Sequence, residues 1–582
     1  MTEKILFLRW IILNPIYTLL YYFKKTLLFI KKKLFKNHTY ENKLYFKTIK
    51  NLAEIKYKRI QVKKIISLAS TDLNVINNIE WKKNFKDPED EERLHRFSWA
   101  IDCISKKKIS DKELKWIENE IYYWYSSIYE NDKNLYSKSL KWEPYTVSER
   151  ISNIFLFYNF LDKEIPKSIK QRINNETIYL INNLEFFNNS INNHIINNSR
   201  AIYFASLICN NKNFKYISIK IFKSTINKLI TSDGFLREGS SHYQVLFHRW
   251  IFEIFYFLKK NNDHKYASYI DKINKKLCNG TSFFIVKKNK TLFHLFGDIS
   301  PDFTPTWISD FPEIYNLNII KKKNYASWNN LFLRIMDKKK LINFKKTKLI
   351  KKNINKNSGW FKFTKFNHEI IFRLNKTQPS NFPGHYHHDA GHFVYSYKRD
   401  QIFVDTGRFN YHNSNDYFAK NHNTITINKL GLTPINKVLP FKYAQSFNTV
   451  KFKDNKEELR ISLIMNGFSR INVGSVWTRN IILRKKKIII NDCIQGKLNN
   501  NLINSYFYTD LVCINRNGNI NFHINKNKGV MKSNIYKKKI NNYKASYKRY
   551  GKHEYINQIC YTNFTNIKSE IQKNKFTLDW NI

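Results

Sequence analysis

The densest concentration of chemically competent side chains is PGHYHHDAGHF, residues 383–393, where His385, His387 and His388 fall within four positions beside Gly384. Read as a strand, this segment puts His385, His387 and Asp389 on one face, because side chains alternate with a period of two. A hairpin turn near Lys398–Asp400 returns the chain as QIFVDTG and brings Asp405 alongside, and the following loop carries His422 in NHNT. Two imidazoles and a carboxylate, from His387, Asp405 and His422, form a three-ligand shell of the kind zinc takes, with one coordination position open. A lone histidine is more often a satisfied polar residue than a ligand; three together beside a glycine bring the two readings level.

Three earlier constellations accompany it. INNHIINNSR, residues 191–200, places Asn193 and His194 ahead of a helix, where capping is the ordinary role of asparagine in so Asn-rich a chain. DGFLREGSSHYQ, residues 233–244, sets Glu238, His242 and Tyr243 in a Gly- and Ser-containing loop before another helix. KWEPYTVSERISNIF, residues 141–155, offers Trp142 and Tyr145, aromatic faces that either stack on sugar rings or fill a core.

The elements that must position these residues change character along the chain. From about residue 90 to 340, segments such as WAIDCISKKKISDKELKWIENEIYYWYSSI and HRWIFEIFYFLKK repeat apolar residues at three- and four-residue spacing, which predicts helices. Many helices of similar length suit a toroid or solenoid. From about residue 358, GWFKFTKFNHEIIFRLN and NVGSVWTRNIILRKKKIIINDCI alternate β-branched or aromatic residues with polar ones, the pattern of an antiparallel sandwich. The lysine-rich stretch 337–353 is the expected boundary. Helices first and strands second imply an α+β multidomain chain: an N-terminal extension (1–89), a helical domain (90–345) and a β-sandwich (355–582).

The formal charge of +54 points to a polyanionic partner: nucleic acid, an anionic membrane surface or an acidic glycan. Yet Lys, Asn and Ile dominate throughout, as AT-rich coding produces, and the basic residues are spread along the chain instead of gathered in one arm. That argues against nucleic-acid binding. Six scattered cysteines without a CxxC pair argue against a disulfide framework or a cysteine-based zinc site. Residues 5–23, ILFLRWIILNPIYTLLYYF, are apolar but interrupted by Arg9, Asn14 and Pro15, and basic residues follow. This order does not suit a cleaved secretory signal; a tilted span or an interfacial helix fits it better.

Together these segments resemble the heparinase II/III-like polysaccharide lyases, a group with related alginate and heparan lyases. The C-terminal signature of that family is matched by Gly384-His385-Tyr386-His387-His388-Asp389, Val404-Asp405-Thr406-Gly407 and His422-Asn423-Thr424. WEPYTVSERISN, NNHIINNSRAIYFASL and DGFLREGSSHYQ carry the likeness into the helical half, with GDIS at 297–300 a weaker echo. The resemblance implies an incomplete α/α toroid followed by an antiparallel β-sandwich, and β-elimination at a uronic acid. It further implies that Asn193 neutralises the uronate carboxylate with His194 beside it, that Tyr243 protonates the leaving oxygen, with service as the base a further option for it, and that His385 is able to take the C5 proton. His387, Asp405 and His422 would hold one Zn2+, and Glu238 and Tyr411, with the aromatic Trp142 and Tyr145, would contact substrate. Two departures bear on which sugar is recognised: His388 stands where the family often has a small residue, and Lys420 precedes NHNT where an arginine-containing stretch is common.

The expected partner is thus an acidic polysaccharide and not nucleic acid, in a bacterial cell-envelope setting, the periplasm or a membrane-associated location. Two rival functions share the same residues. A uronate C5-epimerase begins with the same proton abstraction and reprotonates the opposite face. A non-catalytic glycan-binding or assembly protein would keep the fold, although a decayed site would be expected to have lost at least one of Asn193, His194, Tyr243 and His385.

Overall fold

A computed structural model describes residues 60–129, 139–185, 191–287, 291–311 and 324–336, then 354–374 and 385–581 with gaps chiefly at 412–415 and 434–447, and much of 3–27. The lysine-rich stretch 337–353, Gly384 and Tyr386 lie outside the described residues.

Helices fill the first half. Most of the long ones start where the sequence supplies an oxygen for the unpaired N–H groups of a first turn; Lys167–Asn182, which follows Pro166, is an exception. Glu143 caps Pro144–Leu161, Asn192 caps Asn193–Ile208, and Ser240 caps Ser241–Lys260. The helix Asn193–Ile208 turns back as Lys212–Leu229, and Ser241–Lys260 as His264–Phe283. The two turns hinge on Asn210 and Asn262, whose φ of 48° and 57° is the left-handed conformation asparagine tolerates. Fully buried Trp99, Trp116, Trp124 and Trp142 sit in the single core of this toroid.

Strands fill the second half and pair antiparallel throughout. A five-stranded meander runs from Ile354–Asn355 to Asp400–Phe403 in chain order. It is followed by an eight-stranded sheet and a four-stranded one, the latter pairing Ile425–Ile427 with Leu502–Thr509. Ile461, Trp477, Phe507 and Phe576 belong to the second core, between the sheets. A smaller cluster joins the halves: Phe235, Phe283 and Phe296 pack against Trp360, Ile371 and Val394. The toroid-then-sandwich architecture is the one expected.

Three local expectations are corrected. The described residues of this segment, His385 and His387–Asp389, are not in a strand, and the strand begins only at Phe393. The segment lacks β-branched residues, and Gly391 (φ +75°) turns the chain just before the strand. The stretch read as an N-terminal extension contains a β-hairpin, Lys63–Ser67 with Asp72–Ile76. Arg549 clamps that hairpin to the sandwich, donating to the carbonyls of Leu68 (2.8 Å) and Thr71 (3.0 Å). Tyr243 and His242 lie inside the first turn of their helix, not in the loop before it, and Asn193 is likewise a first-turn residue. Among the described residues no helix is long and apolar enough to cross a membrane.

Candidate active site

Three long helices begin at one place. Tyr145, Asn193 and Tyr243 occupy the first turns of Pro144–Leu161, Asn193–Ile208 and Ser241–Lys260. Each start carries the positive end of a helix dipole, and their convergence favours an anion. Glu238 ties two of them together, accepting the Asn193 N–H at 2.6 Å through one carboxylate oxygen. Asn193 is 1% exposed, and neither polar atom of its amide has a hydrogen-bond partner. A buried amide left unpaired costs about 1–3 kcal/mol, so it marks a group kept ready for something that binds.

His194 lies beside it, partly exposed, with Nδ1 2.7 Å from the Glu185 carboxylate. Burial pulls its pKa down, but the Glu185 charge and hydrogen bond more than offset this and raise it to about 9. The imidazole is therefore cationic at neutral pH. Its ring packs 4.6 Å from that of Tyr145, whose hydroxyl donates to Asp302 at 3.1 Å. Arg96 completes this wall, stacking on Tyr145 and pairing with Asp302 at 3.2 Å.

The sandwich supplies the opposite wall. His385 stacks on Tyr243 with ring centroids 3.4 Å apart and planes 9° from parallel. Its Nδ1 is 3.1 Å from Asp298 and its Nε2 3.7 Å from Glu238. The Tyr243 hydroxyl is 2.7 Å from that of Tyr411, which in turn donates to the Ile299 carbonyl at 3.0 Å. Burial holds the Tyr243 phenol well above its usual range, so it is protonated, the form a proton donor needs.

His387, Asp405 and His422 come together behind His385, each with a potential ligand atom within 4.8 Å of the others. Their fit to a metal can be tested on hydrogen bonds. His387 Nε2 is 2.7 Å from Asp298, and Nδ1 is buried with no hydrogen-bond partner. Both ring nitrogens of His422 are also buried without a hydrogen bond. Asp405 accepts the N–H groups of Gly297 and Gly407, both at 3.0 Å, and stays ionised: burial raises its pKa, but His422 and His392 hold it well below the carboxylate range. Unpaired imidazole nitrogens around an anchored carboxylate are what a zinc site requires, with Asp298 as the outer carboxylate that orients a ligand histidine.

One candidate falls elsewhere. Trp142 does not face the cleft; it is 1% exposed and wedged among Trp124, Tyr129 and Tyr179, so its expected sugar-stacking role is corrected to core packing. Glu238 is equally buried but stays at the site: one carboxylate oxygen positions Asn193, and the other, 3.7 Å from His385 Nε2, has no hydrogen-bond partner. Asp298 is the main residue the motifs did not single out. One oxygen meets His385 and the other His387, and against the upward pull of burial those two contacts hold the carboxyl below its usual range. Gly297 before it has φ +73°, and an added Cβ would lie 2.9 Å from the His385 carbonyl oxygen, so only glycine allows this approach. Arg408, stacked on Tyr411 with Nη1 3.7 Å from Asp298, and His392, 3.2 Å from Asp405, were also missed. The GDIS echo was the only sequence signal for Asp298.

Residues 353–541 match the family model described as heparinase II/III-like, C-terminal. Among solved structures the chain is similar to heparinase III, at 15% identity over 87% of this chain and 79% of that one, with a TM-score of 0.62. It is similar also to a mutant of the heparan sulfate lyase HepC from Pedobacter heparinus, at 16% identity over 88% and 80%, with a TM-score of 0.54. No curated protein matches the chain in sequence. At these identities the shared property is the fold.

Proposed function

We propose, from the match of residues 353–541 to the heparinase II/III-like, C-terminal family model and from the geometry of the cleft, that the protein is a polysaccharide lyase cleaving a uronic-acid-containing acidic polysaccharide by β-elimination. The observation that carries this reading is the unpaired Asn193 amide at converging helix starts, facing a tyrosine and a histidine stacked on each other. A uronate carboxylate bound by the Asn193 amide and the His194 cation has its charge neutralised, which acidifies the adjacent C5–H. His385 takes the C5 proton. The C5–H electron pair forms the C4=C5 double bond as the C4–O4 bond breaks, and Tyr243 delivers its proton to the departing O4. The products are a free hydroxyl on one fragment and an unsaturated uronate on the other. Arg408 and Tyr411 keep the Tyr243 hydroxyl oriented.

A zinc ion held by His387, Asp405 and His422 would supply structural rigidity to the loops that carry His385. We also place the protein at the bacterial cell envelope, with the helix Glu3–Leu13 at a membrane surface; its exposed Ile5, Leu8, Ile12 and Leu13 support this. The function is tested by incubating purified protein with alginate, heparan, chondroitin, hyaluronan and bacterial capsule preparations and following the ultraviolet absorbance of unsaturated ends. Absence of that absorbance on every substrate, with C5 inversion seen by NMR, would transfer the site to the epimerase reading.

A further inference from the structure

The loops that carry the candidate metal ligands enclose a second space, which shares no residue with the cleft. It is a cavity of about 480 Å³ lined chiefly by His388, Phe418, Lys420, Lys429, Asn504 and Tyr506, within the ~300–1,000 Å³ range of small-ligand sites. Its lining among the described residues has two ammonium groups and no carboxylate. Lys420 and Lys429 are both exposed, so their ammonium groups are solvated. Deeper in, Asn504 and Tyr506 are both under a tenth exposed. They stand on the face of the strand Leu502–Thr509 opposite to Ile503 and Phe507, which enter the sandwich core.

The frame around these groups is fixed. Lys429 sits in a two-residue turn, Asn428–Lys429, with φ of 51° and 67°, closed by reciprocal hydrogen bonds of 3.0 and 2.9 Å between Ile427 and Leu430. Asn428 pins that turn to the neighbouring strand, accepting the Leu502 N–H at 2.9 Å. Lys420 lies in the short 3-10 turn Ala419–Asn421, which leads directly to His422. The Phe418 ring lies nearly parallel to that of His388, centroids 6.2 Å apart, and presents an apolar plane of the kind that packs on sugar CH groups.

We propose that this cavity is a second carbohydrate site, binding a uronate-bearing sugar unit away from the bond being broken. Lys420 and Lys429 pair with its carboxylate, Phe418 packs on its ring, and Asn504 and Tyr506 meet its hydroxyls. The choice of ligand rests on the proposed function; the site itself does not. Bound there, a distal part of an acidic chain contributes affinity and selectivity without touching the reacting atoms, as remote binding energy does in other enzymes.

The test is lysine acylation footprinting of the full chain, read by mass spectrometry, with alginate, chondroitin and heparan hexasaccharides as probes and maltohexaose as the neutral control. Lys420 and Lys429 should be protected by at least one acidic probe and not by maltohexaose, while an exposed lysine of the helical half such as Lys212 is unaffected. The protection should persist in Asn193→Ala, whose defect lies in the cleft. Lys420→Ala/Lys429→Ala should weaken binding of the protecting probe about tenfold, as expected for two partly solvated charge-assisted contacts. Equal labelling with and without every acidic probe, equal protection by maltohexaose, loss of protection in Asn193→Ala, or unchanged affinity in the double variant would each overturn the site. Protection without any unsaturated product would retain the cavity and remove the lyase; unsaturated product without protection would do the reverse.

Discussion

Tyr243→Phe removes one hydroxyl from the centre of the cleft and nothing else. The phenyl ring keeps its stack on His385 at 3.4 Å, and the Ser240 cap on the residue 243 N–H is untouched. Tyr411 loses one hydrogen-bond partner but still donates to the Ile299 carbonyl. The stability cost is therefore that of a single buried hydrogen bond, about 1 kcal/mol, and the fold should survive. The catalytic cost is of another size: a general acid contributes about 10²- to 10⁴-fold, which is about 3–5 kcal/mol of barrier. Because O4 acquires charge only as its bond breaks, turnover should fall far more than KM rises. Initial rates of unsaturated-end formation, on a substrate the wild type visibly cleaves, measure this, with thermal unfolding recorded alongside. Tyr411→Phe removes the partner and leaves the Tyr243 proton, so its loss should be the smaller of the two. A folded Tyr243→Phe with near-wild-type turnover would refute the assignment, and a larger loss in Tyr411→Phe would move the proton donor to Tyr411.

Other perturbations probe the remaining parts. Asn193→Ala should lower turnover by a similar order to Tyr243→Phe, because it leaves charge building on an un-neutralised carboxylate; unchanged kcat on a cleaved substrate would rule this out. Elemental analysis should find zinc in purified wild type and its loss in His387→Ala; equal metal in both, or none in either, would count against the site. Asp298→Asn should loosen that metal by about 10- to 100-fold in chelator competition, as outer-shell changes do, and an unchanged chelation curve would deny Asp298 that role. His194 is protonated below about 9 and neutral above it, so KM for the acidic substrate should climb as pH rises through that value; a KM that falls there would contradict a binding role for its charge.

The parts of this architecture set by local pattern were legible in the sequence. Three- and four-residue apolar spacing over WAIDCISKKKISDKELKWIENEIYYWYSSI does become helices, and the alternating segments after residue 358 do become antiparallel strands. The hairpin at Lys398–Arg399, with φ of 50° and 70°, lies where the sequence puts it and delivers Asp405 as expected. Long-range partners were less visible. Asp298 acts on residues 87 and 89 positions away, and a lone aspartate in a short motif carries no mark of that. The fate of an aromatic ring was equally hidden: Trp142 and Tyr145 are three residues apart, yet one fills the core and the other backs His194. In a chain with 16% aromatic residues, type and spacing do not separate packing from recognition. The error over His385 and Asp389 has a simpler cause, since period-two reasoning presumed a strand in a segment whose glycines favour a loop.

The charge of the molecule and the charge of its cleft follow different rules. Lysines dominate the composition, yet the groups packed around Asn193 and Tyr243 include Glu185, Glu238, Asp298 and Asp302, with Glu89 and Glu143 close behind. A layer of carboxylates behind a site for an acidic sugar looks repulsive until their states are followed. Asp298 and Glu185 are ionised, but each is matched by histidine: Asp298 by His385 and His387, Glu185 by His194. Asp302 is paired with Arg96. Glu238, Glu89 and Glu143 are pushed upward by burial, the direction that removes their charge. What faces the cleft is thus an imidazolium, a neutral amide and three helix starts, all oriented by the acids behind them. Such groups are fixed in direction before a substrate arrives, whereas a surface lysine must be ordered on binding and is screened by salt. The carboxylates therefore serve recognition of an anion by holding its donors in place, and the lysines outside the cleft and the second cavity contribute only a diffuse attraction.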